Sequence, residues 1–193
     1  FGHLVHPLGT SRFGLTVAEN QIRKNIPQAM SIAGKFISLH PEREMHWILL
    51  TNDAASKDGW DLKSDDSVYT RTGISPDRVI VLEKSRQGIT RDIVRDLYRN
   101  AQCFLLTSHA EGIGLPLYES QACGCPVLVT EKTGGAEAVV KGLTISADGS
   151  PTIFPWGNNN HYWVDEEDAL AKLERIVANQ EFDREPVKFP TWE

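Results

Sequence analysis

The 193-residue chain, 40% of it apolar, is long enough to bury one substantial core and too short for two average domains. Its 20 basic and 26 acidic residues are interspersed and give a net charge of −6, which excludes a chain-wide electrostatic footprint for nucleic acid and requires any anionic ligand to be met locally. No run nears ~20 consecutive apolar residues, and the first residues lack the basic-then-apolar order of a secretory signal, so the expected compartment is the cytoplasm.

In chain order, FGLTVAE (13–19) is a short β-rich run, and NIPQAMSIAGKFISLHPE follows with Ile26, Ala29, Ala33, Phe36 and Ile37 at helical spacing. Asn25 stands at the N-cap position, Pro27 falls in the first turn where its missing N–H costs nothing, and Pro41 closes the segment. MHWILLTND (45–53) is nearly continuous in apolar residues, the pattern of a strand covered on both faces. Residues 54–77 are polar and predict a loop with an irregular helix, ending at the turn Ser75-Pro76-Asp77 before a third strand, RVIVLEK (78–84). TRDIVRDLYRNA predicts a helix capped by Thr90, with Ile93, Leu97 and Tyr98 on one face, and QCFLLTS (102–108) a fourth strand. GLPLYESQACG predicts a helix with Pro116 in its first turn and Gly124 at its end, PVLVTE a fifth strand and GLTIS a sixth. SPTIFPWGNNNHYWV (150–164) reads as an aromatic loop, and DEEDALAKLERIVANQ as an amphipathic helix with Asp165 near its cap. Strands alternating with helices predict an α/β class, a doubly wound parallel sheet whose ligands bind outside the carboxyl ends of the strands.

The three cysteines, Cys103, Cys123 and Cys125, lie in apolar segments and read as reduced core thiols. Cys123-Gly124-Cys125 lacks the C-x2-C spacing of a zinc site and no second Cys or His pair completes it, so no metal is expected. Trp47, Trp156 and Trp163 read as packing residues.

Two places suit an anion. Gly112-Ile113-Gly114 follows a strand and opens a helix, which turns free backbone N–H groups and the helix dipole toward the carboxyl edge of the sheet. Arg23 and Lys24 lie between the first strand and the first helix, at the same edge. Glu111 and Glu119 bracket the glycine turn, and two readings of them stand open. They accept hydrogen bonds from vicinal hydroxyls of a ribose or hexose, or Glu111 meets the helix N-terminus while Glu119 is solvated.

The segment EGIGLPLYESQACGCPVLVTEKTGGAEAVV (111–140) resembles the E-x7-E segment in the nucleotide-sugar-binding half of GT-B-fold retaining glycosyltransferases of the family-4 type, and NQIRKNIPQAMSIAGKF (20–36) resembles their phosphate-binding R-K-N segment. The similarity covers most of residues 13–175 and is strongest over 103–140. It implies a Rossmann-like domain, one half of a GT-B fold, that binds a UDP or GDP sugar for transfer to an unidentified acceptor. Glu119 would then bind the ribose hydroxyls and Glu111 the donor sugar. Gly112, Ile113 and Gly114, with Leu115 beside them, would meet the sugar or distal phosphate, and Arg23 and Lys24 would compensate the diphosphate as it leaves. Residues from Leu82 to Arg86, Lys84 among them, would cradle the base. His109 would line the sugar site, or be a strand-end histidine with a backbone partner. Glu137 falls in the matching G-G-x-E loop.

The resemblance implies no metal cofactor, since cations and a helix N-terminus neutralise the diphosphate, and Ser64-Asp65-Asp66 lies in a polar loop. Two departures stand out. Glu19 occupies a position where relatives carry arginine, and a carboxylate there would repel a diphosphate. The N-terminal acceptor-binding half is also missing, so residues 1–12 read as the remnant of an interdomain linker and 13–193 as the donor domain of a fragment. A missing domain or partner subunit would complete it and could attach it peripherally to a membrane. The alternative function is a non-catalytic nucleotide-sugar-binding or assembly module.

Overall fold

The computed structural model describes residues 12–52, 59–62, 75–84, 88–148, 152–153, 160–178 and 180–189. Six parallel strands form its sheet: β1 (Phe13–Val17), β2 (His46–Thr51), β3 (Val79–Glu83), β4 (Phe104–Leu106), β5 (Val127–Thr130) and β6 (Gly142–Ile145), in the spatial order β3-β2-β1-β4-β5-β6. That is the doubly wound Rossmann order, in which the direction of winding reverses between β1 and β4. Helices α1 (Ile26–Leu39), α2 (Arg91–Asn100), α3 (Leu115–Ala122) and α4 (Glu166–Leu173) cover its two faces.

The continuous apolar run of β2 serves both faces, because successive side chains of a strand point in opposite directions. Trp47 and Leu49 join Met30, Ala33 and Phe36 of α1 and Leu173 of α4 in one core cluster, whereas Ile48 and Leu50 join Leu97 and Tyr98 of α2 and Leu117 of α3 in the other. The buried Trp47 indole is satisfied: its Nε1 donates to Thr16 Oγ1 (3.1 Å), which donates to the Leu105 carbonyl (3.0 Å), a chain that crosses β2, β1 and β4.

The helix boundaries follow local chemistry. Thr90 caps α2 by accepting from the Ile93 N–H, and Asp165 caps α4 by accepting from the N–H groups of Glu167 and Asp168. Asn25 precedes α1 in a left-handed conformation (φ 48°), and its side-chain amide bonds the Gln28 side chain instead of the helix backbone.

The structure departs from sequence expectation in three places. β4 ends at Leu106; beyond it Thr107 Oγ1 donates to the Asn25 carbonyl of the neighbouring loop and Ser108 Oγ to Glu111 of its own loop. The last helix gives way after Leu173 to a π-helical turn over Glu174–Ala178, whose wider spacing buries both Ile176 and Val177. Within the aromatic loop, Thr152–Ile153 (β7) and Asn160–His161 (β8) pair antiparallel. All but Arg12 of the linker expected over 1–12, most of the irregular helix over 54–77, and Ser64 to Asp66, Ser85, Arg86 and Trp156 lie outside the described residues. Among the described residues, no helix is long and apolar enough to cross a membrane.

Candidate functional site

The reversal between β1 and β4 sets their carboxyl ends side by side, and an open cleft of about 1000 Å³ lies there. Val17, Ala18 and Glu19 line it from β1, Arg23 and Lys24 from a 3-10 turn over Ile22–Lys24, and Ala110 to Pro116 with Glu119 from the loop and helix after β4. Lys84, just past β3, closes one end.

The two loops are tied together. The His109 N–H donates to the Arg23 carbonyl (2.8 Å), and Thr107 Oγ1 donates to the Asn25 carbonyl (3.0 Å). The Lys24 ammonium donates to Oε2 of Glu111, which also accepts from Ser108 Oγ (3.2 Å) and lies 3.8 Å from Arg23 Nη1. Both partners of the Lys24–Glu111 pair are about nine-tenths buried, at 10% and 9% side-chain exposure, whereas Arg23 stays 43% exposed. Among the described residues, Oε1 of Glu111 accepts no hydrogen bond.

Glycine shapes the turn that follows. Gly114, at the N-cap of α3, has φ 68°, a left-handed conformation that costs glycine little, and no side chain caps the helix there. The N-terminus of α3 borders the cleft at Gly114, Leu115 and Pro116. Behind it, the Gly134 N–H donates to the Glu111 carbonyl (2.9 Å). A Cβ at Gly134 would come within 2.1 Å of the Gly112 carbonyl oxygen, so only glycine permits this approach.

Glu119 lies one turn into α3 and lines the cleft. Its Oε2 accepts from the Tyr98 hydroxyl (3.2 Å). Burial, and then the nearby Glu119 charge, push the Tyr98 phenol far above the usual range. Beyond Lys84 and Glu119, the cleft adjoins a second hollow of about 570 Å³ lined also by Ile89, Thr90, Val94, Arg95 and Tyr98.

Residues 86–186 match the family model of glycosyl transferases group 1. The chain belongs to that family. A D-inositol 3-phosphate glycosyltransferase from Gordonia bronchialis is 36% identical over 80 residues, 42% of this chain and 18% of the relative. One from Nocardiopsis dassonvillei is 36% identical over 89 residues, 46% of this chain and 18% of the relative. The matched stretch thus spans under a fifth of these relatives' length. WaaG, a glycosyltransferase involved in lipopolysaccharide biosynthesis, superposes with a TM-score of 0.65 at 16% identity, over 91% of this chain and 40% of WaaG. The C-terminal domain of the group 1 protein LpcC from Francisella tularensis superposes with a TM-score of 0.62 at 16% identity, over 89% of this chain and 78% of that domain. At these identities the likeness shows the fold alone, a Rossmann-like domain of the GT-B type.

In this glycosyltransferase domain, Arg23, Lys24, Lys84, Glu111, Gly112, Ile113, Gly114, Leu115 and Glu119 meet around one cleft. His109 does not line it: the ring is 1% exposed, its Nδ1 lies 2.8 Å from the Tyr162 carbonyl, and it stacks edge-on to Trp163. Leu82 is 7% exposed and belongs to the core cluster beneath α2. Glu137 is exposed in the 3-10 turn Gly134–Ala138, outside the cleft lining. Glu19 is exposed, lines the cleft and accepts from Gln21 Nε2 (3.0 Å). Sequence reading assigned nothing to the hydroxyls of Ser108 and Tyr98. Tyr98 announced only its ring, through helical periodicity, and a serine at a strand end carries no pattern at all.

Proposed function

We propose that this domain, in the cytoplasm, holds the nucleoside diphosphate sugar for a retaining glycosyl transfer, and that another domain or chain brings the acceptor. One observation carries the reading: Arg23 and Lys24 from the turn after β1 meet Glu111, 87 residues beyond Lys24, and Glu119 of α3 in one cleft at the switch point, beside the N-terminus of that helix. The diphosphate sits against Arg23, Lys24 and the Gly112 to Gly114 turn. The base enters the hollow beyond Lys84, and the ribose, between the two, lies at Glu119.

As the sugar–phosphate bond breaks, negative charge collects on the leaving diphosphate. Lys24 is already held in place by Glu111, so it stabilises that charge with little reorganisation, and the more exposed Arg23 adds a second cation. Lys24 carries three N–H donors and spends one on Glu111, leaving the others for phosphate oxygens. Oε1 of Glu111 accepts a hydroxyl of the donor sugar. These groups neutralise the diphosphate without a metal ion.

A second reading, a nucleotide-sugar-binding module without transfer activity, is favoured by one observation, the Glu19 carboxylate in the same cleft. Calorimetric titration with UDP, GDP and their sugar conjugates tests the donor site, with Glu119→Ala as the control. We expect one base to bind and the control to weaken it at least about tenfold. Unchanged affinity in the control would remove the ribose assignment. Retention of anomeric configuration by the chain joined to an acceptor-binding half would remove the second reading.

A further inference from the structure

We propose that Tyr98 is a positioning residue for Glu119 and that it sets the preference of this site for ribose over 2′-deoxyribose. The inference rests on the reading of Glu119 as the ribose contact.

The ring of Tyr98 is 1% exposed on the inner face of α2, edge-on to Phe104 with centroids 5.8 Å apart. Packing on all sides holds the ring in place. Tyr98 borders the hollow that adjoins the cleft, and its hydroxyl donates to Oε2 of the cleft-lining Glu119 at 3.2 Å. Among the described residues, this is the one hydrogen bond that the Glu119 carboxylate makes. Glu119 is itself exposed, and an exposed glutamate samples several rotamers that a ligand must otherwise freeze at an entropic cost. The bond to a rigid phenol removes that cost before the ligand arrives.

The stoichiometry of the contact also fits a diol. A carboxylate offers about four lone-pair sites, and Tyr98 occupies one of them on Oε2. The remainder suffice for the two vicinal hydroxyls of a ribose. A phenol whose ionisation is suppressed by burial stays a donor, so the contact persists over the working pH range. The position is apt, because Glu119 and Lys84 are shared by the cleft and the adjoining hollow, so a nucleotide spanning both passes this carboxylate at its sugar.

The test is calorimetric titration of UDP, GDP and their 2′-deoxy counterparts into the chain and into Tyr98→Phe, Glu119→Ala and the double variant. The readout is the ratio of deoxy to ribo dissociation constants within each variant, in which a reduced folded fraction cancels. We expect Tyr98→Phe to lower that ratio about five- to tenfold. Glu119→Ala should bring it near one, and the double variant should fall no further. A Tyr98→Phe chain that binds both forms more weakly by the same factor, with the ratio kept, overturns the proposal while the ribose assignment stands. A ratio near one in the unaltered chain, unaffected by Glu119→Ala, overturns the ribose assignment and the proposal together. So does failure of all four nucleotides to bind.

Discussion

Lys24 and Glu111 form an ion pair across 87 residues of sequence, with only 10% and 9% of their side chains exposed. It joins the turn after β1 to the loop after β4, and Ser108 supports it from the same loop. Removing either charge leaves the other mostly buried without its closest partner, with Arg23 and Ser108 still facing Glu111. Lys24→Met and Glu111→Gln should each lower the unfolding free energy by about 3 kcal/mol, and the double variant by less than the sum. Urea unfolding of the four chains measures the coupling.

Gly112 and Gly134 stand against each other yet should respond differently to alanine. A Cβ on Gly134 collides with backbone, 2.1 Å from the Gly112 carbonyl oxygen, whereas nothing lies within 4 Å of one on Gly112. Gly134→Ala should destabilise by about 1–3 kcal/mol, because the two loops must part. Gly112→Ala should change stability by less than about 0.5 kcal/mol. If the ligand backs onto this turn, Gly112→Ala still loses diphosphate affinity, a combination that thermal unfolding and calorimetry together would reveal.

The buried Gln121 amide makes four hydrogen bonds: Nε2 donates to the carbonyls of Leu117 and Ala138 (both 2.9 Å), and Oε1 accepts from the N–H groups of Val140 and Lys141 (both 2.8 Å). Its backbone carbonyl accepts from the Val187 N–H (2.9 Å), tying the C-terminal segment to α3. Gln121→Leu should destabilise by about 2–3 kcal/mol, since several partly buried backbone groups lose their partner at once. Hydrogen exchange should accelerate at the amides of Val140 and Lys141.

The thiols predict an alkaline limit. Cys103 and Cys125 are wholly buried, and burial pushes Cys125 up to about 12 from its ordinary 9.0. Between those values the unfolded chain has lost the proton and the folded one keeps it, so stability is intact below about pH 9 and falls as pH rises toward 12. Cys125→Ala should flatten the decline by up to about 1.4 kcal/mol per pH unit. In the native chain at neutral pH, only the half-buried Cys123 should react with a thiol reagent, and all three thiols should react in denaturant.

Much of this architecture was legible because the relevant physics is local. Apolar runs marked β1, β2, β3 and β5, and Thr90 and Asp165 marked two helix starts with the hydroxyl and carboxylate that cap them. The strand–helix alternation implied a parallel sheet, and the placement of Arg23, Lys24 and the glycine turn at strand ends implied a shared edge. What stayed hidden depends on pairs distant in sequence. Periodicity assigns Tyr98 to the core and is right about its ring, but its hydroxyl serves Glu119, a carboxylate that lines the cleft. His109 stands two residues from Glu111, yet its ring turns to the Tyr162 carbonyl, a partner 53 residues on. Residue spacing cannot tell which side of a loop a side chain takes.

The position of the cleft between β1 and β4 also has a consequence for folding. Residues 13–83 make three adjoining strands and residues 104–145 the other three, so each segment assembles through near neighbours in the chain. The contact between the segments closes a loop of 89 residues, as the Thr16 to Leu105 hydrogen bond shows, and such closures come late and slowly. A ligand in the cleft therefore acts as a clamp across a seam, stabilising the state in which the two segments have joined.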